Sequence, residues 1–227
     1  MASQRNLKPL SRPALSIERV LRAAIGLADS GGLESLTMRG LAHELGVEAM
    51  SLYYYISKRD DILDAILDLV VGEIEPARDG ADWKAALRNT AISAHEVLER
   101  HPWACGLMMS PARVRASRKR YMNSMLGCLR GAGFTAELTD RAYHALDSHI
   151  IGSTFWEVGY STGAPAPAAN GPDDYAAAFL RALPADEYPH LAEHVEQHRA
   201  IPEAGDVAFE FGLDLILDGL ERILATG

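Results

Sequence analysis

Between Leu36 and Leu63 the chain reads LTMRGLAHELGVEAMSLYYYISKRDDIL, and the spacing of that run leaves little freedom of fold. Thr37 opens a short helix over 37–45, because a hydroxyl at the first position accepts from an otherwise orphaned backbone N–H. Leu41, Ala42 and Leu45 recur at helical spacing and give this helix one apolar face. Gly46 then stands where helices commonly end in a left-handed residue, a conformation that costs glycine little. Val47 is suited to the corner. A second short helix over 49–55 turns Leu52 inward and leaves small and aromatic side chains outward. Ser57-Lys58-Arg59-Asp60 matches a capping box and starts a third helix. Two helices joined by a glycine-containing turn, the second one exposed, make a helix-turn-helix, whose second helix fits a DNA major groove.

These residues carry a family resemblance. Thr37-x-Arg39-x-Leu41-Ala42-x-x-Leu45-Gly46-Val47, then Leu52-Tyr53-Tyr54-Tyr55, a basic residue and Ile62-Leu63 resemble the DNA-binding domain of the TetR family of bacterial transcriptional regulators. The similarity runs from about Ser16 to Glu73. A second stretch, FEFGLDLILDGL from Phe209 to Leu220, resembles the last helix of the family's tetracycline-repressor-like C-terminal domains. The middle of the chain is similar in helix pattern only.

Net charge, −9 over 227 residues, opposes DNA binding until its distribution is read. Residues 1–60 hold eight Lys/Arg and six Asp/Glu, a balance of +2; residues 61–227 hold fourteen and twenty-five, a balance of −11. Steering depends on the local patch, so the N-terminal part can dock on phosphate while the acidic remainder faces away. Arg5, Lys8 and Arg12 lie in a basic stretch without acids, read as a flexible arm over 1–15. Cys105 and Cys128 have no metal-ligand spacing and fit a reducing cytoplasm. No apolar run is long enough for a membrane span, and the N-terminus lacks the apolar centre of a secretory signal.

The remainder reads as helix: about 16–30 ended by Gly31-Gly32, then 59–77, 83–100, 103–108, 111–130, 135–160, 173–182, 186–200 and 206–225. STGAPAPAANGP at 161–172 reads as a loop. The expected fold is all-α. A three-helix helix-turn-helix domain over 16–61 precedes a larger helical ligand-binding and dimerisation domain over 62–227.

Site residues follow from chemistry and from the resemblance together. Arg39 sits where the resemblance implies DNA contact, and a guanidinium donates two bonds to guanine O6 and N7; a surface pair with Glu44 or Glu48 is the alternative. Ala49 and Met50 offer apolar contact to thymine methyls, and Ser51 a hydroxyl to base or phosphate. Tyr53, Tyr54 and Tyr55 offer phenols to phosphate, which sets register without reading sequence, or pack in part beneath the third helix. Lys58 and Arg59 read as phosphate contacts, Arg59 aligning with the family's phosphate-binding lysine.

In the second domain, Trp83, Trp103, Met108, Met109, Met122, Met125, Tyr143 and Trp156 concentrate soft and aromatic side chains, with Tyr121, Phe134 and Phe155 nearby. Four of the seven methionines fall between 108 and 125. Such a set suits an adaptable apolar pocket or an ordinary core; the resemblance implies a pocket for an inducer. His144 and Asp147 supply polar contacts there. Gly212 and Gly219 on the last helix, and Gly152 and Gly159 beside Phe155, are seven apart. With Leu213, Ile216 and Leu220 they read as a close-packed dimer interface, which the resemblance favours over internal core.

His190, His194 and His198 share a helical face with zinc-compatible spacing, but a solvated face explains them as well. No catalytic triad, carboxylate pair or phosphate loop stands out. The expectation is therefore a cytoplasmic homodimeric regulator, a repressor released from a palindromic double-stranded DNA operator by a small hydrophobic or aromatic effector. It needs no cofactor, no metal and no catalysis. The rival reading is a small-molecule-binding protein or enzyme that keeps a vestigial helix-turn-helix.

Overall fold

The computed structural model describes residues 15–78, 80, 82–162, 172–200 and 204–226. Among them lie eleven α-helices and no strand. They divide into two compact units, one up to Ile66 and one from Leu67 onward.

In the first unit, α1 (Ile17–Ser35) starts at Ser16, whose hydroxyl accepts from the Arg19 N–H. Its helical path breaks at Gly31 and Gly32, as the glycine pair predicts. Gly32 has φ 67° and ψ 177°, a region essentially reserved for glycine. A last turn through Ser35 follows. Helix α2 (Met38–Leu45) is capped by Thr37, whose Oγ1 accepts from Gly40 N–H at 3.0 Å. Gly46 ends it in the left-handed conformation and donates its N–H to the Ala42 and His43 carbonyls. Helix α3 is only Ala49–Leu52, shorter than the expected 49–55; Tyr53–Tyr55 form a turn instead. Val20, Ala24, Leu36, Leu41, Leu45, Leu52 and Ile62 are buried together with little or no exposure. Each large aliphatic side chain buried this way contributes about 1.5–3 kcal/mol.

Helix α4 (Arg59–Val71) stops six residues short of the expected 77. Gly72 follows it, and Pro76 forbids a continuous helix beyond. In the second unit, α5 (Trp83–Arg100) and α6 (Trp103–Met108) have the expected bounds; Asp82 caps α5 by accepting from Ala85 N–H. The expected 111–130 helix is instead one 3-10 turn at Pro111–Arg113 followed by α7 (Ala116–Gly131). Then come α8 (Ala136–Thr162), α9 (Pro172–Ala182), α10 (Pro189–Ala200) and α11 (Ala204–Thr226).

Helix α5 is the centre of this unit and packs against α6, α7, α8 and α11; α11 also lies on α8, and α9 pairs with α10. Phe134, Phe209, Leu87, Leu98, Met125, Leu129 and Leu146 form the fully buried core. An ion-pair ladder joins α5 to α11. Lys84 meets Asp218 at 2.6 Å and Glu221 at 2.7 Å, and Arg88 meets Glu210 at 2.6 Å and Asp214 at 2.8 Å. Rising numbers on α11 meet falling numbers on α5, so the two helices run antiparallel.

Candidate functional site

The first unit presents a compact set of unsatisfied side chains on α2, α3 and the turn after it. Arg39 is exposed and forms no ion pair with Glu44 or Glu48 among the described residues. Met50 is 78% exposed and Tyr54 87%, far beyond what an isolated domain gains by presenting such side chains to water. Ser51 and Tyr53 are exposed too, whereas Ala49 is half-buried and Leu52 fully buried. Thr37 keeps its side chain on the Gly40 N–H as a cap.

Two expected DNA contacts are used differently. Tyr55 donates its hydroxyl to the Leu15 carbonyl at 2.8 Å and stands edge-on to Tyr54. It thus holds the chain entering α1 rather than offering a free phenol. Arg59 turns back on the end of α1: its Nε donates to the Leu36 carbonyl at 2.8 Å and its guanidinium to Leu33 at 2.5 Å. The last carbonyls of a helix lack intrahelical partners, so a guanidinium satisfies them well. Lys58, beside it, is exposed. Arg5, Lys8 and Arg12 fall outside the described residues.

In the second unit the expected pocket residues separate. Trp103, Met108, Met125 and Tyr143 are buried, while Trp83 and Met122 are half-buried. Trp83 stands edge-on to Phe134. Met109 lies exposed just past the end of α6. His144 is also exposed, standing edge-on to the Tyr143 ring and 3.6 Å from Asp140 one turn earlier. Neither lines the interior.

Asp147 does turn inward, and its partner was not apparent in the sequence. Arg118 donates to Asp147 at 2.8 Å and to the Tyr143 hydroxyl at 3.4 Å. The Tyr121 hydroxyl donates to the second Asp147 oxygen at 3.2 Å, and the Arg118 guanidinium lies over the Tyr121 ring. Burial and the Asp147 charge push both tyrosine hydroxyls well above their ordinary range. Both phenols therefore stay neutral donors. Burial alone pushes the Cys105 thiol up to about 12, so it is no nucleophile.

The glycine spacing also resolves into two roles. A side chain at Gly212 would run into the His149 imidazole of α8, so this glycine serves close packing within the subunit. Leu213 and Leu220 are likewise buried inside the subunit, and Ile216 is half-buried. An α11 stripe buried by α5 and α8 is not free for a partner. Gly152 and Gly219 differ: a Cβ added at either would meet nothing within 4 Å. Phe155, Trp156, Phe211 and Leu215 are exposed on the same two helices. The side-chain surroundings of Gly159, and the His198 side chain, fall outside the described residues. Beside Trp156 a groove of about 340 Å³ runs between α8 and α11, lined by His149, Gly152, Ser153, Glu157 and Phe209.

Known proteins share both halves of this arrangement. Residues 20–66 match the family of bacterial regulatory proteins described as the tetR family, and residues 75–224 match the tetracyclin repressor-like C-terminal domain. The HTH-type transcriptional repressor DrrR1 of Streptomyces coeruleorubidus is 33% identical over 224 residues, covering 94% of this chain and 80% of that protein. A crystal structure of a possible TetR family transcriptional regulator from Streptomyces coelicolor A3(2) superposes with a TM-score of 0.75 at 29% identity, covering 92% of this chain and all of that one. The Streptomyces coelicolor TetR family protein ActR in complex with actinorhodin gives 0.66 at 25%, covering 93% and 99%. With an N-terminal reading head and a helical remainder that both match, this chain belongs to the TetR family of bacterial transcriptional regulators.

Proposed function

We propose that the protein is a cytoplasmic homodimeric repressor that holds a palindromic operator until a small hydrophobic or aromatic effector releases it. The observation that carries the DNA-reading half is the pairing of exposed Arg39, Met50, Ser51, Tyr53 and Tyr54 with a fully packed and capped support beneath them. Arg39 reads a guanine edge, Met50 contacts a thymine methyl, and the phenols of Tyr53 and Tyr54 with Lys58 set the register on phosphate. Two such heads, one per protomer, enter successive major grooves.

The effector-binding half rests on the concentration of buried soft and aromatic side chains at Trp103, Met108, Met125 and Tyr143, with Tyr143 hydrogen-bonded to Arg118 of the Arg118–Asp147 pair. This combination suits a mostly apolar molecule with a few oxygen atoms. ActR, a structural relative, has been crystallised with actinorhodin, which lends support to a small-molecule effector. Release requires that the effector bind the DNA-competent and DNA-free states with different free energies.

The test is direct. Duplexes selected from a randomised pool by the purified protein should share an inverted repeat, with binding that weakens steeply as salt rises. Arg39→Ala should then cost about 1–3 kcal/mol on that duplex and relax preference at one base pair per half-site. Lys58→Ala should weaken every sequence alike and shallow the salt slope. Failure to select any duplex refutes the reading; an untouched Arg39→Ala affinity refutes its role as the base reader.

A further inference from the structure

We propose that His95, Glu99 and Glu157 form a binding site for one divalent first-row transition-metal ion, with zinc as the probe. The three side chains come from α5 and α8, helices packed on each other, and their ligand atoms lie within 4.8 Å of one another. His95 is buried, its side chain only 4% exposed, while Glu157 is half-buried and Glu99 reaches the surface. A ligand set running from the interior to solvent gives an ion both a dry anchor and an entry path.

Thr154 favours one tautomer of His95. Its Nδ1 lies 3.2 Å from Thr154 Oγ1. Thr154 has one hydroxyl proton and donates it to the Ile150 carbonyl at 3.1 Å. In that arrangement the hydroxyl oxygen accepts and Nδ1 carries the hydrogen. The other nitrogen, Nε2, faces Glu157 Oε2 at 3.4 Å and Glu99 Oε1 at 3.9 Å. A neutral ring would aim a lone pair at two carboxylates, so a cation belongs between them.

Distance decides which cation. A proton shared between imidazolium and carboxylate draws the heavy atoms to about 2.7–2.9 Å. Ligands on a tetrahedral zinc with bonds near 2.0–2.1 Å stand roughly 3.3–3.5 Å apart. The His95–Glu157 separation has the second value, and Glu99 needs only a small rotation of an exposed side chain. Thr154 then plays the role that outer hydrogen bonds play around metal-bound histidines, fixing tautomer and ring plane. Phe209 stacks on the His95 ring with centroids 3.9 Å apart, and His149 stacks on the other side of Phe209. Three protein ligands leave a fourth position, and Glu157 also lines the groove of about 340 Å³, so water or a small molecule's oxygen can complete the shell.

The experiment uses the full chain without an affinity tag, with zinc alone competed against a chromophoric chelator. One zinc per chain is expected. Glu157→Gln and His95→Gln should each weaken it at least about 100-fold, and Thr154→Val about 10- to 100-fold through loss of the Nδ1 acceptor. Circular dichroism and binding of the selected duplex check folding. If His95→Gln does not fold, Glu157→Gln and Glu99→Gln decide the matter from the more exposed side. Absence of stoichiometric zinc overturns the proposal. So does binding unchanged in the glutamate variants, which would put the ion elsewhere, for example on His190 and His194 of α10. Nitrogen NMR showing a protonated Nε2 that zinc does not displace overturns it as well.

Discussion

Asp147→Ala should destabilise the protein by about 3–5 kcal/mol, because it leaves the buried Arg118 guanidinium without its counter-charge. A domain's whole stability is about 5–15 kcal/mol, so this single change should bring the midpoint of urea unfolding sharply down. Asp147→Asn should cost less, since an amide oxygen still accepts from Arg118 or Tyr121. The double replacement Arg118→Met with Asp147→Leu should recover much of the loss, as apolar substitutes for buried pairs often do. That contrast separates an uncompensated charge from simple loss of packing. A loss below about 1 kcal/mol for Asp147→Ala would mean that water reaches the guanidinium and that the pair is not a structural unit.

Leu215→Glu combined with Phe211→Glu should convert the protein to monomers and lower affinity for a two-half-site duplex by about 10²–10⁴-fold. Phe211 and Leu215 are 67% and 55% exposed in the subunit, so charge there disturbs no internal packing. A second copy would bury both, and an unpaired carboxylate at the centre of an apolar interface is costly. Gly152→Leu offers an independent check. Nothing in the subunit lies within 4 Å of the added Cβ, so the fold accepts it and only a partner would object. Sedimentation that still gives a dimer for both variants would place the interface away from α8 and α11.

Local chemistry was legible in the sequence wherever the signal and its cause lie within a few residues. Thr37 and Gly46 bracket α2 through bonds to Gly40, Ala42 and His43, all inside one short stretch. Trp83–Arg100 and Trp103–Met108 are set by Asp82 and by the Pro102 break. What stayed hidden depends on pairing over distance. Arg118 finds Asp147 twenty-nine residues on, and Arg59 reaches back over twenty-three residues to Leu36. Neither pair lies within one helix, so no helical period links its members. The apolar faces of α11 show the same boundary. Periodicity identifies Leu213, Leu220, Phe211 and Leu215 alike as apolar, yet only packing tells which stripe α5 and α8 cover. His95 gives no local sign of its role for the same reason, since Thr154 lies fifty-nine residues away.

The ladder between Lys84, Arg88 and the acids of α11 has a consequence beyond its own modest pair energies. Phe211 and Leu215 each follow a ladder acid, Glu210 or Asp214, by one residue, which is about 100° of turn around the helix. Pinning the acids to α5 therefore reinforces the roll that buried Phe209, Leu213 and Leu217 give α11, with its apolar strip outward. Cut the ladder, and that buried face alone is left to hold the roll. An Arg88 variant would then loosen the aim of the exposed Phe211 and Leu215 strip from the far side of the helix without touching the strip itself.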